Sequence, residues 1–168
     1  GSSSTLCSSQ NDPRVWELTR WTGERWVTHP VTTSDHNYDM GSLYLNGDRW
    51  TVIGPTLPGP QPYHTGGEVA LWLSTDPGAT WKPERHVPRH SPLHHSYVRR
   101  PHHPADPFWA MWADGDSSRF SPSRLYFTNS TGDRLYMLPY QMDGDFAEPI
   151  LLDPPSPPPV GESDLSPR

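Results

Sequence analysis

Cysteine is nearly absent from this chain, and the one present, Cys7, cannot close an internal disulfide or join a zinc site built on several thiolates. Long apolar runs are missing as well. No stretch approaches the roughly 20 residues that span a bilayer, and the start Gly1-Ser2-Ser3-Ser4-Thr5 has neither the basic region nor the apolar core of a leader peptide. No initiator Met is present either, so Gly1 reads as a tag remnant, a processing site or the edge of a cropped domain. Blocks of Lys and Arg are also lacking: 13 basic residues face 19 acidic ones, for a net charge of −6. Neither nucleic acid nor a membrane is expected as a partner. What the chain has instead is 22 Pro, 13 Gly and 8 Trp in 168 residues, with few of the residues that favour long helices. Turn formers and large aromatics in these amounts point to an all-β fold.

The stretch Ser74-Thr75-Asp76-Pro77-Gly78-Ala79-Thr80-Trp81 spells Ser-x-Asp-x-Gly-x-Thr-Trp. These residues suit a tight turn between two strands: Asp76 accepts hydrogen bonds from turn amides, Gly78 takes positive φ, and Trp81 buries its ring beneath the hairpin. The string resembles the Asp-box of sialidase-like β-propellers, also described as BNR repeats. The resemblance spans about 14 to 140 and includes His36-Asn37-Tyr38-Asp39-Met40-Gly41-Ser42-Leu43-Tyr44, Gly59-Pro60-Gln61-Pro62-Tyr63 and Tyr97-Val98-Arg99-Arg100-Pro101. It implies that Ser74, Asp76, Gly78, Thr80 and Trp81 are structural, on outer strands away from any substrate cleft.

A repeat accompanies the motif. Hairpin-turn glycines fall at 23, 78 and 132, at intervals of 55 and 54, and His36-Asn37-Tyr38 with Trp50 is echoed 59 residues later by His95-Ser96-Tyr97 with Trp109. Periods of this size suit propeller blades of four short strands. Period-2 alternation predicts strands at 41–45, 49–53, 69–74 and 81–87, then at 97–99, 108–113, 124–128 and 134–138. The expected organisation is a flexible segment over 1–13, the outer hairpin of a preceding blade over 14–35, a blade with the Asp-box over 36–92, a following blade over 93–152 and a Pro-rich tail or linker over 153–168. That is a partial β-propeller of four-stranded antiparallel blades. Closure needs at least about four blades, so the remaining ones are expected from the same parent chain or another subunit.

In propellers, the innermost strands line a channel and ligands bind where their loops converge. His36, Tyr38, Asp39, His95, Tyr97, Arg99 and Arg100 are candidates for such a cleft. Arg binds carboxylates bidentately, while His and Tyr exchange protons. Alternatively, the histidines bond backbone groups at the starts of blades and the tyrosines pack between them. The long loop over 54–68 brings Gln61, Tyr63, His64 and Glu68 as wall residues of a substrate site, or else forms a rigid strap on the rim. Six histidines crowd together at His86, His90, His94, His95, His102 and His103, but interleaved prolines deny them one helical face, and no metal or other cofactor is expected. Asp114-Gly115-Asp116 and Asp143-Gly144-Asp145 read as ordinary turns rather than calcium loops.

Relatives in the resembled family include sialidases, other exo-acting glycosidases and polysaccharide lyases using His, Tyr and a charge-neutralising Arg. The expectation is the carboxy-terminal part of an extracellular or periplasmic carbohydrate-active propeller acting on an acidic polysaccharide or glycan. In it, His36 or His95 is the base, Tyr38 or Tyr97 the acid, and Arg99 or Arg100 the carboxylate partner. The alternative is a non-catalytic segment that binds glycan or protein, or a structural subunit of an assembly.

Overall fold

The computed structural model describes residues 14–35, 39–60, 66–87, 91–116, 119–141 and 148–152. Among them, all regular structure is β, in antiparallel sheets, and no sheet closes on itself. The segments 1–13 and 153–168, Asp143-Gly144-Asp145, and the candidates His36, Tyr38, Gln61, Tyr63, His64 and His90 lie outside the described residues.

Three sheets follow in chain order. The first is a hairpin of β1 (Arg14–Trp21) and β2 (Trp26–Ser34). Next comes a four-stranded meander of β3 (Ser42–Asn46), β4 (Arg49–Leu57), β5 (Glu68–Ser74) and β6 (Lys82–His86). The last is a five-stranded meander of β7 (His94–Arg99), β8 (Ala110–Gly115), β9 (Leu125–Thr128), β10 (Leu135–Met137) and β11 (Ile150–Leu152). The fifth strand is a departure from the expected four: Ile150 to Leu152 pair along the outer edge of β10. Strand β7 also begins three residues before the expected Tyr97.

The hairpin alternates strictly, with Trp16 and Leu18 turned inward and Glu17 and Thr19 outward. Its inward face meets the four-stranded sheet at two glycines. A Cβ on Gly54 would lie 2.9 Å from the Trp16 ring, and one on Gly41 would lie 2.8 Å from it and 2.7 Å from the Ile53 carbonyl oxygen. Only residues without a side chain let the indole seat there. The opposite face of the same sheet, carrying Tyr44, Ile53, Val69 and Leu71, packs on Val98, Ala110, Trp112, Tyr126 and Leu135 of the five-stranded sheet. Covered on both faces, β5 is buried nearly throughout, which is why Val-Ala-Leu-Trp-Leu reads as a continuous apolar run rather than an alternating one. The result is a stack of hairpin, four-stranded sheet and five-stranded sheet.

The two meanders are also joined by backbone. Gly67 and His95 exchange hydrogen bonds of 2.9 and 3.0 Å, and the Val98 amide donates to the Met40 carbonyl at 3.1 Å. These bonds fix the start of β7 against the loop that precedes β5 and the segment that precedes β3.

Candidate functional site

The turn from Ser74 to Trp81 is built as its residue types demand. The Asp76 carboxylate accepts from the Thr80 amide (2.9 Å), the Thr80 hydroxyl (2.6 Å) and the Ser74 hydroxyl (2.7 Å), while the Gly78 amide donates to Ser74 Oγ at 2.8 Å. The Thr80 hydroxyl above all, then its amide and Ser74, hold the Asp76 carboxyl far below the usual carboxylate range. Gly78 has φ of 81°, and the corresponding Gly23 and Gly132 have 103° and 68°. Trp81 departs from expectation. Its ring is half-buried rather than buried, and its indole N–H donates to the Gly78 carbonyl at 3.2 Å. In the later turn the acidic acceptor is replaced by Asn129 one position earlier, whose Oδ1 takes the Arg134 amide at 3.0 Å. Every group of the Asp76 turn is thus occupied with holding the turn.

The opposite end of the sheets carries a different set. Asp39 Oδ1 accepts from the Gly66 amide at 2.6 Å, Gly67 pairs with His95, and Glu68 follows at once as the first residue of β5. The second oxygen of Asp39 and Oε1 of Glu68 are both shielded from solvent. His94 and His95 are each only 1% exposed. The Trp112 indole donates to His95 Nδ1 at 2.9 Å, and the Tyr126 ring stacks on the imidazole at 4.9 Å. An acceptor Nδ1 leaves the ring proton of neutral His95 on Nε2. In this geometry His95 is a donor through Nε2, and serving as base would require breaking the Trp112 bond.

Behind His95 lies a polar cluster that sequence reasoning missed. Buried Asp114 accepts from the Ser91 hydroxyl (2.6 Å), the Tyr126 hydroxyl (2.9 Å) and the Arg124 amide (2.7 Å). Burial first, then this bond to Asp114, pushes the Tyr126 phenol up to about 12. Asp114-Gly115 was expected to be a turn, but both residues belong to β8. The alternation of Ala110, Trp112 and Asp114 on one face was the available signal. An acidic residue continuing an inward apolar stripe needs partners.

Tyr97 is the strained residue of the region, with φ of 56° on a side chain 44% exposed. It sits where β7 gains a residue on β8: Ser96 pairs with Ala113 but Arg99 pairs with Met111. A bulged, left-handed non-glycine costs on the order of 1–3 kcal/mol, and it turns the phenol out to solvent between His95 and the Val98 contact with Met40.

The two arginines do not join this group. At about 3.3 Å per residue, Arg99 lies roughly 13 Å along β7 from His95, towards the end of the sheets that holds the Asp76 turn. Arg100 lies beside Tyr44, with its guanidinium 5.1 Å from that ring. Tyr44 donates to the Trp109 carbonyl at 2.6 Å and stacks on the Trp109 ring. Burial holds its phenol far above the ordinary value, against the opposing charge of Arg100.

Among the described residues, no group of three or more His, Cys, Asp or Glu is arranged to hold a metal ion. His102 and His103 touch edge to face at 4.2 Å, well along the chain from the His94 and His95 pair.

No family model matches the sequence, and no curated protein or solved structure matches it.

Proposed function

We propose that this chain is part of a carbohydrate-active β-propeller that works on an acidic polysaccharide or glycan outside the cytoplasm, by hydrolysis or elimination. The observation that carries the reading is the grouping of Asp39, Glu68, His95 and the strained, exposed Tyr97 at the loop end of two stacked meanders, opposite the structural Asp76 turn. Two carboxylates and an exposed phenol supply base and acid in one region. Roles follow from the surroundings. Glu68 or Asp39 is the base and Tyr97 the acid, with buried His95, held by Trp112, positioning the strand that carries Tyr97. The propeller part of the reading is supported by the recurring positive-φ turn glycines and by meanders that bury their faces against each other.

The test is to assay the full-length gene product on polyuronates and sialosides, following the absorbance of unsaturated products for elimination and reducing ends for hydrolysis. Glu68→Gln should lower turnover by roughly a hundredfold or more with the thermal midpoint nearly unchanged. No activity on any substrate, with glycan binding that survives Glu68→Gln and His95→Gln, would replace this reading by a binding segment.

A further inference from the structure

We propose that the cavity at the turn end of the two meanders is a separate binding site for a small ligand carrying an oxyanion, such as the carboxylate or sulfate of a single sugar unit. The cavity measures about 440 Å³, within the range of small-molecule sites. It opens between the sheets. Tyr44, Thr51, Leu71 and Arg85 belong to one wall, and Arg100 and Trp109 to the other.

Its charge is unbalanced. Arg49, Arg85 and Arg100 line the space against a single carboxylate, Glu84, and that carboxylate is held by Arg49 at 3.0 Å. Arg85 and Arg100 have no hydrogen-bond or ion-pair partner among the described residues. The nearby acid that feels Arg85, Asp133, is occupied with the Thr131 hydroxyl and the Asn129 amide, and Arg85 is the weakest of the influences on it. Arg100 is placed by its position over the Tyr44 ring, which is itself fixed by Trp109. A ring contact leaves the guanidinium N–H donors of Arg100 for another partner. Two guanidinium forks, those of Arg85 and Arg100, left over in one walled space on a chain of net charge −6, match the bidentate geometry of a carboxylate or sulfate. This inference does not depend on the reading of the loop end, which lies at the other extremity of the sheets.

The test is to titrate the full chain with D-glucuronate, inorganic sulfate, inorganic phosphate and, as a neutral control, D-glucose, following intrinsic tryptophan fluorescence and the arginine side-chain resonances. Saturable binding of glucuronate or sulfate without binding of glucose is expected. It should weaken about tenfold or more in Arg85→Gln and in Arg100→Gln, and less in Arg85→Lys, which keeps the charge but loses the fork. Arg134→Gln, which removes an exposed arginine outside the cavity, should leave it unchanged. Preference for glucuronate identifies a carboxylate site, and equal binding of all three anions a general oxyanion site. No saturable binding of any probe, or equal weakening in Arg134→Gln, overturns the proposal.

Discussion

Replacing Gly54 with alanine puts a methyl group into the seat of the Trp16 indole. The added carbon would lie 2.9 and 3.1 Å from two ring atoms of Trp16 and 3.4 Å from the Gly41 Cα. Overpacking of this kind costs about 1–3 kcal/mol, offset by about 0.4–1 kcal/mol from the stiffer unfolded chain. The net loss should be on the order of 1–2 kcal/mol, or a fall of roughly 2–4 °C in midpoint per kcal/mol for a chain of this size. The clash is with a side chain, so it can be relieved. In a Trp16→Leu background, itself destabilised by roughly 2 kcal/mol, Gly54→Ala should become neutral or mildly stabilising. The coupling should then be about 1 kcal/mol or more. Gly41→Ala behaves differently, because its Cβ would also lie 2.7 Å from the Ile53 carbonyl oxygen, and Trp16→Leu should not rescue it. Urea unfolding of the wild type, the two single variants and the double variant, followed by far-ultraviolet circular dichroism, measures the cycle. Additive effects of Trp16→Leu and Gly54→Ala would refute the packing of hairpin on sheet.

Two further outcomes follow from titrating groups. The Asp76 carboxyl is depressed by Thr80 and Ser74, and that of Asp133 by Thr131 and Asn129. Their contribution is therefore present above the unfolded carboxylate range of about 4 and is lost as pH falls through their folded values. The thermal midpoint should drop on acidification, and less steeply in Asp76→Asn; an unchanged slope would remove Asp76 from the turn. Tyr126 is shifted the other way, up to about 12. Its stabilisation is complete below the unfolded value near 10 and is lost as pH rises from there through the folded value, so Tyr126→Phe should flatten the alkaline loss of stability. Phenolate absorbance in the wild type should show two tyrosines ionising late, Tyr44 and Tyr126, and Tyr126→Phe should remove one of them; an unchanged late phase in that variant would contradict the Asp114 bond.

Strand positions were legible because half-buried strands alternate and because Gly23, Gly78 and Gly132 punctuate them at a steady interval. The Asp76 turn was legible for a stricter reason: each of its hydrogen bonds is made within eight consecutive residues. What failed to show were features assembled from distant segments. The early start of β7 depends on a bulge at Tyr97, and nothing in the residue type announces positive φ there. The role of His95 depends on Trp112, seventeen residues away, and an acceptor Nδ1 cannot be read from a histidine and its neighbours. The alternative reading, in which repeated histidines serve the architecture, describes His95 in part, since its backbone pairs with Gly67 and its ring is buried. Arg49, Arg85 and Arg100 come from two strands and a connection on two sheets, so their shared cavity had no local signature.

The pair of hydrogen bonds between Gly67 and His95 also bears on how the molecule opens. Sheets that met only through side chains could separate while each kept its own ladder, and amide protons at the boundary would exchange through that partial opening. Here the boundary contains main-chain bonds at Gly67, His95 and Val98, and the side chains of His94, His95 and Val98 have almost no solvent contact. Parting the meanders therefore breaks ladder bonds and core packing in a single event. The two sheets are expected to open as one cooperative unit, and hydrogen exchange should find the amides of Gly67, His95 and Val98, at the margin where a domain boundary would ordinarily be sought, among the slowest in the chain.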